Sequence, residues 1–202
     1  MRTLSSIAEH QMVAAFLLSE RTSPDFGPGV EHFRSRLGIP EPVIAQPDLS
    51  SVVENGQRAR VLGYRGYGRD EALFAGFPAG VAWGTAEMEL RDLQNVRYLK
   101  DPEWAALSGG SRRAADAAQR LTRSGRPGAD EKLGRLILEM ARGRKFPPLI
   151  LVGPNAECPT EGLTLLEGHA RLTAYLLRPE LVPWPLEVIV GYSPDIVRWA
   201  WF

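Results

Sequence analysis

Apolar residues in the first third of the chain recur at helical spacing. Ile7, Met12, Val13, Phe16 and Leu17 fall on one face behind Ser5 and Ser6, predicting a first helix capped by those serines. A second helix is expected after Pro28, presenting Val30, Phe33 and Leu37 and stopping at Gly38, with Pro40 and Pro42 preventing its continuation. Ser51 and Glu54 have capping-box spacing ahead of Val61 and Leu62, so a third helix should close at Gly63.

The pattern then changes. From Gly63 to Gly84 glycines alternate with Tyr64, Tyr67, Phe74, Phe77 and Trp83, which reads as a packed connector. Arg65 and Arg69 interleave with these rings, so the segment either clamps nucleotides or covers a core edge while its arginines reach water. A short helix is expected from Thr85, a strand over Val96–Leu99, and a helix over Arg113–Arg123. A further helix capped by Asp130 carries Leu133, Leu136, Ile137, Met140 and Ala141 on one face and stops at Gly143. Phe146-Pro147-Pro148 forces extended chain into the apolar run Leu149–Val152, a buried strand turned by Gly153-Pro154-Asn155. Leu163–Leu166 reads as a second strand, Gly168–Leu177 as a helix and Leu186–Val190 as a third strand. The expected class is α+β (α/β): a mostly helical part over 1–85, a mixed-sheet part over 86–192, and an aromatic tail over 193–202 that docks on the core.

Composition narrows the classes. The 202 residues are 44% hydrophobic and 24% charged, enough for a real core, with 24 basic and 24 acidic residues in balance. A wholly cationic nucleic-acid coat is thereby excluded. Met12–Leu18 is too short for a leader and lacks a basic flank, and no window approaches the roughly 20 apolar residues that span a bilayer. The single cysteine, Cys158, has no internal partner, and with three scattered histidines it makes no zinc-ligand spacing, so a cytoplasmic, non-membrane protein is expected.

The chemistry-bearing segment is Leu163-Thr164-Leu165-Leu166-Glu167-Gly168-His169-Ala170-Arg171, a strand feeding a Gly-x-x-Arg helix start. Free N–H groups and the positive helix end should leave the sheet there, glycine permits close approach, and Arg171 could fork onto a phosphate. With Leu136–Ala141, Phe146-Pro147-Pro148 and Leu149–Val152, and Val182-Pro183 before Leu186–Val190, this segment resembles the ParB and sulfiredoxin superfamily. The likeness covers roughly the last 60 residues well and about 100 loosely. In ParB proteins the matching motif reads Gly-Glu-Arg-Arg and binds CTP; in sulfiredoxin it reads Gly-Cys-His-Arg and binds ATP; in ParB-like free-serine kinases it reads Asp-Gly-His-His-Arg. The resemblance implies nucleotide-phosphate binding at Gly168, His169 and Arg171, for ATP or CTP with Mg²⁺.

Departures from the superfamily narrow what it implies. His169 stands where sulfiredoxin needs a thiol, so sulfinic-acid reduction is not expected. About ten residues follow Gly191, too few for the helix-turn-helix domain of a chromosome-partition ParB. The acidic-Gly-His-x-Arg form is nearest, with Ala170 replacing a second histidine. Glu167 and His169 are therefore candidate catalytic residues for Mg²⁺-dependent hydrolysis or kinase-like transfer, with Glu167 as the candidate metal ligand; alternatively they only cap the strand and helix.

Ser108-Gly109-Gly110-Ser111-Arg112-Arg113 offers a second anion nest, in which Ser111 and Arg112 would face the same cleft, or else a capped turn. Residues 111–145 hold ten basic against four acidic residues. Arg113, Arg120 and Arg123 there are candidates for a DNA or RNA backbone, or else a solvated face. The alternative to a nucleotide protein is thus a non-catalytic nucleic-acid or protein-interaction module using the same basic surface.

Overall fold

The computed structural model describes residues 1–124 and 131–202. Asp130, the expected cap, and Arg126 lie outside the described residues. The chain is an α+β protein built on a mixed five-stranded sheet: β1 (Arg2–Ser6), β2 (Ala82–Met88), β3 (Leu149–Gly153), β4 (Thr164–Glu167) and β5 (Leu186–Tyr192), in the order β1-β2-β5-β3-β4. β3 and β5 run parallel and the other neighbours antiparallel. The helices are α1 (Glu9–Arg21), α2 (Gly27–Arg36), α3 (Pro42–Ala45), α4 (Val52–Leu62), α5 (Leu90–Leu93), α6 (Pro102–Leu107), α7 (Ala114–Arg123), α8 (Glu131–Ala141) and α9 (His169–Leu177).

The continuous apolar run of β3 is explained by burial on both faces, because successive strand side chains point to opposite sides. Ile150, Val152 and Ile189 meet Met12, Phe16 and Leu17 of α1 and Val61 and Leu62 of α4. Leu149, Leu151, Val188 and Val190 meet Ala114 and Ala117 of α7, Leu133 and Met140 of α8, and Leu172 of α9. The sheet is thus the middle of three layers. The expected division near residue 85 falls inside β2, and helices from before it share one core with strands from after it.

Three local expectations are corrected. Ser5 and Ser6 do not cap α1 but end β1, where the Ser5 and Thr85 hydroxyls pair across the strands at 2.9 Å and Arg2 meets Glu87. α1 starts after Ala8, whose N–H donates to the Gln11 side chain at 2.9 Å. Thr85 opens no helix, since it pairs with Ile189 within a seven-residue β2–β5 register; the helix is delayed to Leu90. Gly84 serves this edge, for a Cβ there would stand 2.9 Å from the Ser5 carbonyl oxygen. Val96–Leu99 is not a full strand. Its Arg97 N–H donates to Leu163 O at 2.9 Å and its carbonyl accepts from Leu165 N–H at 2.8 Å, enough to cover the outer edge of β4.

Two sequence expectations hold closely: Ser51 caps α4 by accepting from the Glu54 N–H, and α2 ends at Arg36, with Leu37 as its cap just before a left-handed Gly38. The tail docks as expected, with the indole N–H groups of Trp199 and Trp201 donating to Leu73 O and Ala72 O at 2.9 and 3.1 Å.

Because both helical layers lean on β3, Ile150→Ala should cost about 2–5 kcal/mol. The loss should register equally in far-ultraviolet circular dichroism and tryptophan fluorescence during urea unfolding. Two separated transitions would show that the N-terminal helices are an independent unit.

Candidate functional site

At the end of β4 the chain turns through Gly168 at φ +107°, and a Cβ there would stand 2.5 Å from Leu149 Cδ2 and 3.0 Å from the Arg171 guanidinium. Only glycine satisfies both the dihedral and the space. α9 begins immediately, with no side-chain cap, and its first backbone bond is Leu172 N–H to Gly168 O. The N–H groups of His169, Ala170 and Arg171 have no acceptor among the described residues. Glu167, Gly168, His169, Ala170 and Arg171 all line one cavity of about 680 Å³.

Arg171 does not project as a free fork. It is buried, donating to Pro147 O before β3, to Ser19 Oγ on α1 at 2.5 Å and to Glu167 Oε1 at 3.0 Å. The Ser19 hydroxyl in turn donates to Glu167 Oε1. A guanidinium buried at the junction of four segments satisfies its own donors first, because an unmet buried charge is costly. Arg171 is therefore the brace of the cavity floor, and Glu167 is largely committed to it.

A second ion pair beside this floor escaped the sequence reading. Glu20, 1% exposed, accepts from the Tyr64 hydroxyl and lies 3.3 Å from Arg65 Nε, close enough for a charge contact but not aligned as a hydrogen bond. Burial drives its carboxyl up to about 8, with Arg65 opposing and Glu167 adding to the rise. One signal was available: Glu20 extends the Met12, Val13, Phe16, Leu17 stripe of α1 by one helical step, so a carboxylate was placed on an apolar face.

His169 stacks with Tyr98 at 5.8 Å and Trp104 at 5.0 Å between centroids. The residue is half-buried, and its Nε2 is buried without a partner among the described residues. Desolvation pulls the imidazole down to about 4, outweighing the opposing pull of Glu167. It is neutral near pH 7, so it meets a ligand as a neutral donor or acceptor and not as a cation.

Around this floor Phe26, Trp104, Phe146 and Trp201 form apolar wall, and Arg65, Lys132, Arg135 and Arg144 bring positive charge. Lys132 pairs with Asp25 across the mouth, and Arg144 with Glu139 at 2.8 Å. The expected second nest is not part of this cavity. Ser111 Oγ accepts from Arg113 N–H at the start of α7, and Arg112 turns inward to hold Tyr98 O at 2.9 Å and the carbonyl of Phe202 at 2.8 Å. The loop carbonyls and tail carbonyls around Arg112 need donors, and it supplies them. The basic run of 111–145 is likewise divided: Lys132, Arg135 and Arg144 line the cavity, whereas Arg113, just before α7, and Arg120 and Arg123 on it are exposed outside the cavity.

Among the described residues no three His, Cys, Asp or Glu side chains cluster to hold a metal, and Glu167 Oε1 is already bonded twice. No helix among them is long and apolar enough to cross a membrane. Comparison with protein families, with curated proteins and with solved structures finds no match.

Removing the brace strands Glu167 in a mostly buried site, so Arg171→Ala should lower stability by about 3–5 kcal/mol, with little rescue by Arg171→Lys, which lacks the fork. Urea midpoints of the two variants check this; an unchanged midpoint would reject the brace.

Stability should also carry a pH signature. Glu20 is raised from 4.5 to about 8, so its contribution is complete below about 4.5 and lost as pH rises through 8. His169 is lowered from 6.5 to about 4, so its contribution is complete above 6.5 and lost as pH falls through 4. The two oppose each other between about 4.5 and 6.5, leaving a net fall in stability from about 6.5 to 8. That fall should flatten in Glu20→Gln, measured by urea unfolding across the interval.

Proposed function

We propose that this cavity binds a nucleoside triphosphate, ATP or CTP, with its phosphates at the start of α9. The observation that carries this reading is that His169, Ala170 and Arg171, whose N–H groups are uncommitted at the start of α9, line a cavity of about 680 Å³ with aromatic walls and a basic rim. The resemblance of the strand–Gly–helix segment to nucleotide-binding ParB and sulfiredoxin domains supports the same choice. Arg171 serves by holding the floor, so phosphate contacts fall to the backbone and to rim cations such as Arg144. Mg²⁺ would enter as part of the nucleotide, since that ion is commonly held by substrate phosphates with one or two carboxylates. The engaged Glu167 and the stacked His169 favour a receptor over a hydrolase or kinase.

A second reading rests on the exposed Arg113 before α7 and Arg120 and Arg123 on it, which suit a DNA or RNA backbone. Calorimetric titration separates the two. ATP or CTP should bind at micromolar strength, and Arg144→Ala should weaken binding about tenfold by loss of a charge-assisted contact of about 1.4 kcal/mol. If instead nucleotides give no heat while an oligonucleotide binds with steep salt dependence, lost in Arg120→Glu with Arg123→Glu, the nucleic-acid reading replaces the first.

A further inference from the structure

Arg65 belongs to the segment for which sequence left two roles open, and the structure narrows them. Its guanidinium lies over the Phe26 ring at 4.5 Å and lines the cavity, while its Nε faces Glu20 at 3.3 Å. The two terminal nitrogens donate to no acceptor among the described residues. A planar fork backed by a ring on one side and a buried carboxylate on the other, with its donors unspent, is suited to an oxyanion.

From this juxtaposition we infer that Arg65 is an anion-anchoring residue of the cavity and that Glu20 is its counter-charge, taking up a proton when the anionic ligand binds. The inference deepens the nucleotide reading, on which its choice of ligand rests.

The argument is electrostatic. Glu20 is 1% exposed, and what makes its ionised form tolerable is the nearby Arg65. Polyphosphate placed on the outer side of the same guanidinium shares that positive charge and adds negative charge nearby. Both changes favour the neutral carboxyl. Among the described residues, the titratable groups besides Arg65 that act on Glu20 are Glu167 and Tyr64. The Tyr64 hydroxyl, which donates to Glu20, is pushed far above its ordinary range and stays protonated. Glu167, at the end of β4, already accepts from the Ser19 hydroxyl and from Arg171 of α9. His169, pulled down to about 4 by burial, lies too far below pH 8 to take up a proton there, and Lys132 sits with Asp25 at the mouth. In the free protein Glu20 is close to half protonated near pH 8, so binding there or slightly above should complete its protonation.

The test is titration of the full chain with ATP and with CTP at about pH 8, in two buffers of different ionisation enthalpy, because any proton taken up comes from the buffer. The expected result is a buffer-dependent heat corresponding to about half a proton taken up per ligand, which vanishes in Glu20→Gln, with affinity reduced about tenfold or more in Arg65→Ala. Equal heats in both buffers from wild-type protein that does bind would overturn the coupling and leave the nucleotide reading standing. Coupling that persists in Glu20→Gln would overturn the assignment to Glu20. No heat with either nucleotide would remove the nucleotide reading, and this inference with it. The wild-type comparison decides the coupling even if a variant does not fold.

Discussion

The Arg171 guanidinium joins the parts of this molecule that sequence keeps furthest apart. Through Ser19 it reaches α1 in the N-terminal layer, through Pro147 the entrance to β3, and through Glu167 the end of β4. Its own backbone belongs to the first turn of α9. One buried charge thus ties both helical layers to the sheet edge from which the cavity opens. Such a tie works only when every donor has a partner, which explains why the floor contains a serine and a carboxylate in so apolar a setting.

The same economy of buried charge sets the electrical character of the cavity. The floor pairs Glu167 with Arg171, whereas Glu20, just beside it, is largely protonated near pH 7 and leaves the charge of Arg65 mostly uncancelled. His169, enclosed by Tyr98 and Trp104, is kept neutral by desolvation. What remains for an anion is directional: backbone N–H groups at the start of α9, the outer edge of Arg65, and cations nearer the rim. In the nucleotide reading we propose, these groups would meet the phosphate chain and the aromatic walls the planar base.

Arg112 shows how one residue type can take a structural role where a motif suggests chemistry. In a left-handed backbone conformation at φ +61°, it closes the loop before α7 and gathers carbonyls from Tyr98 and Phe202. That places Trp201 in the cavity wall, where its indole also bonds Ala72. The tail therefore contributes to the site by packing, and the arginine contributes through the tail.

Local signals written in neighbouring residues were legible in the sequence. The Ser51 cap, the stop at Gly38, the apolar strand after Pro147-Pro148 and the glycine between β4 and α9 each depend on a few adjacent side chains and dihedrals, and each is where the sequence places it. The run Glu167, Gly168, His169 and Arg171 was legible as one strand-to-helix junction because its spacing is short. The packing of its side chains was not. Thr85 became strand because Ile189 pairs with it, and Arg171 turned inward because Ser19, 152 residues away, offers an acceptor. Glu20 and Arg65 meet only after α1 and the segment following α4 pack together. Sequence alone determined which residues carry charge and where elements can begin and end; tertiary structure decided which charges are buried, because desolvation depends on neighbours brought in from distant parts of the chain.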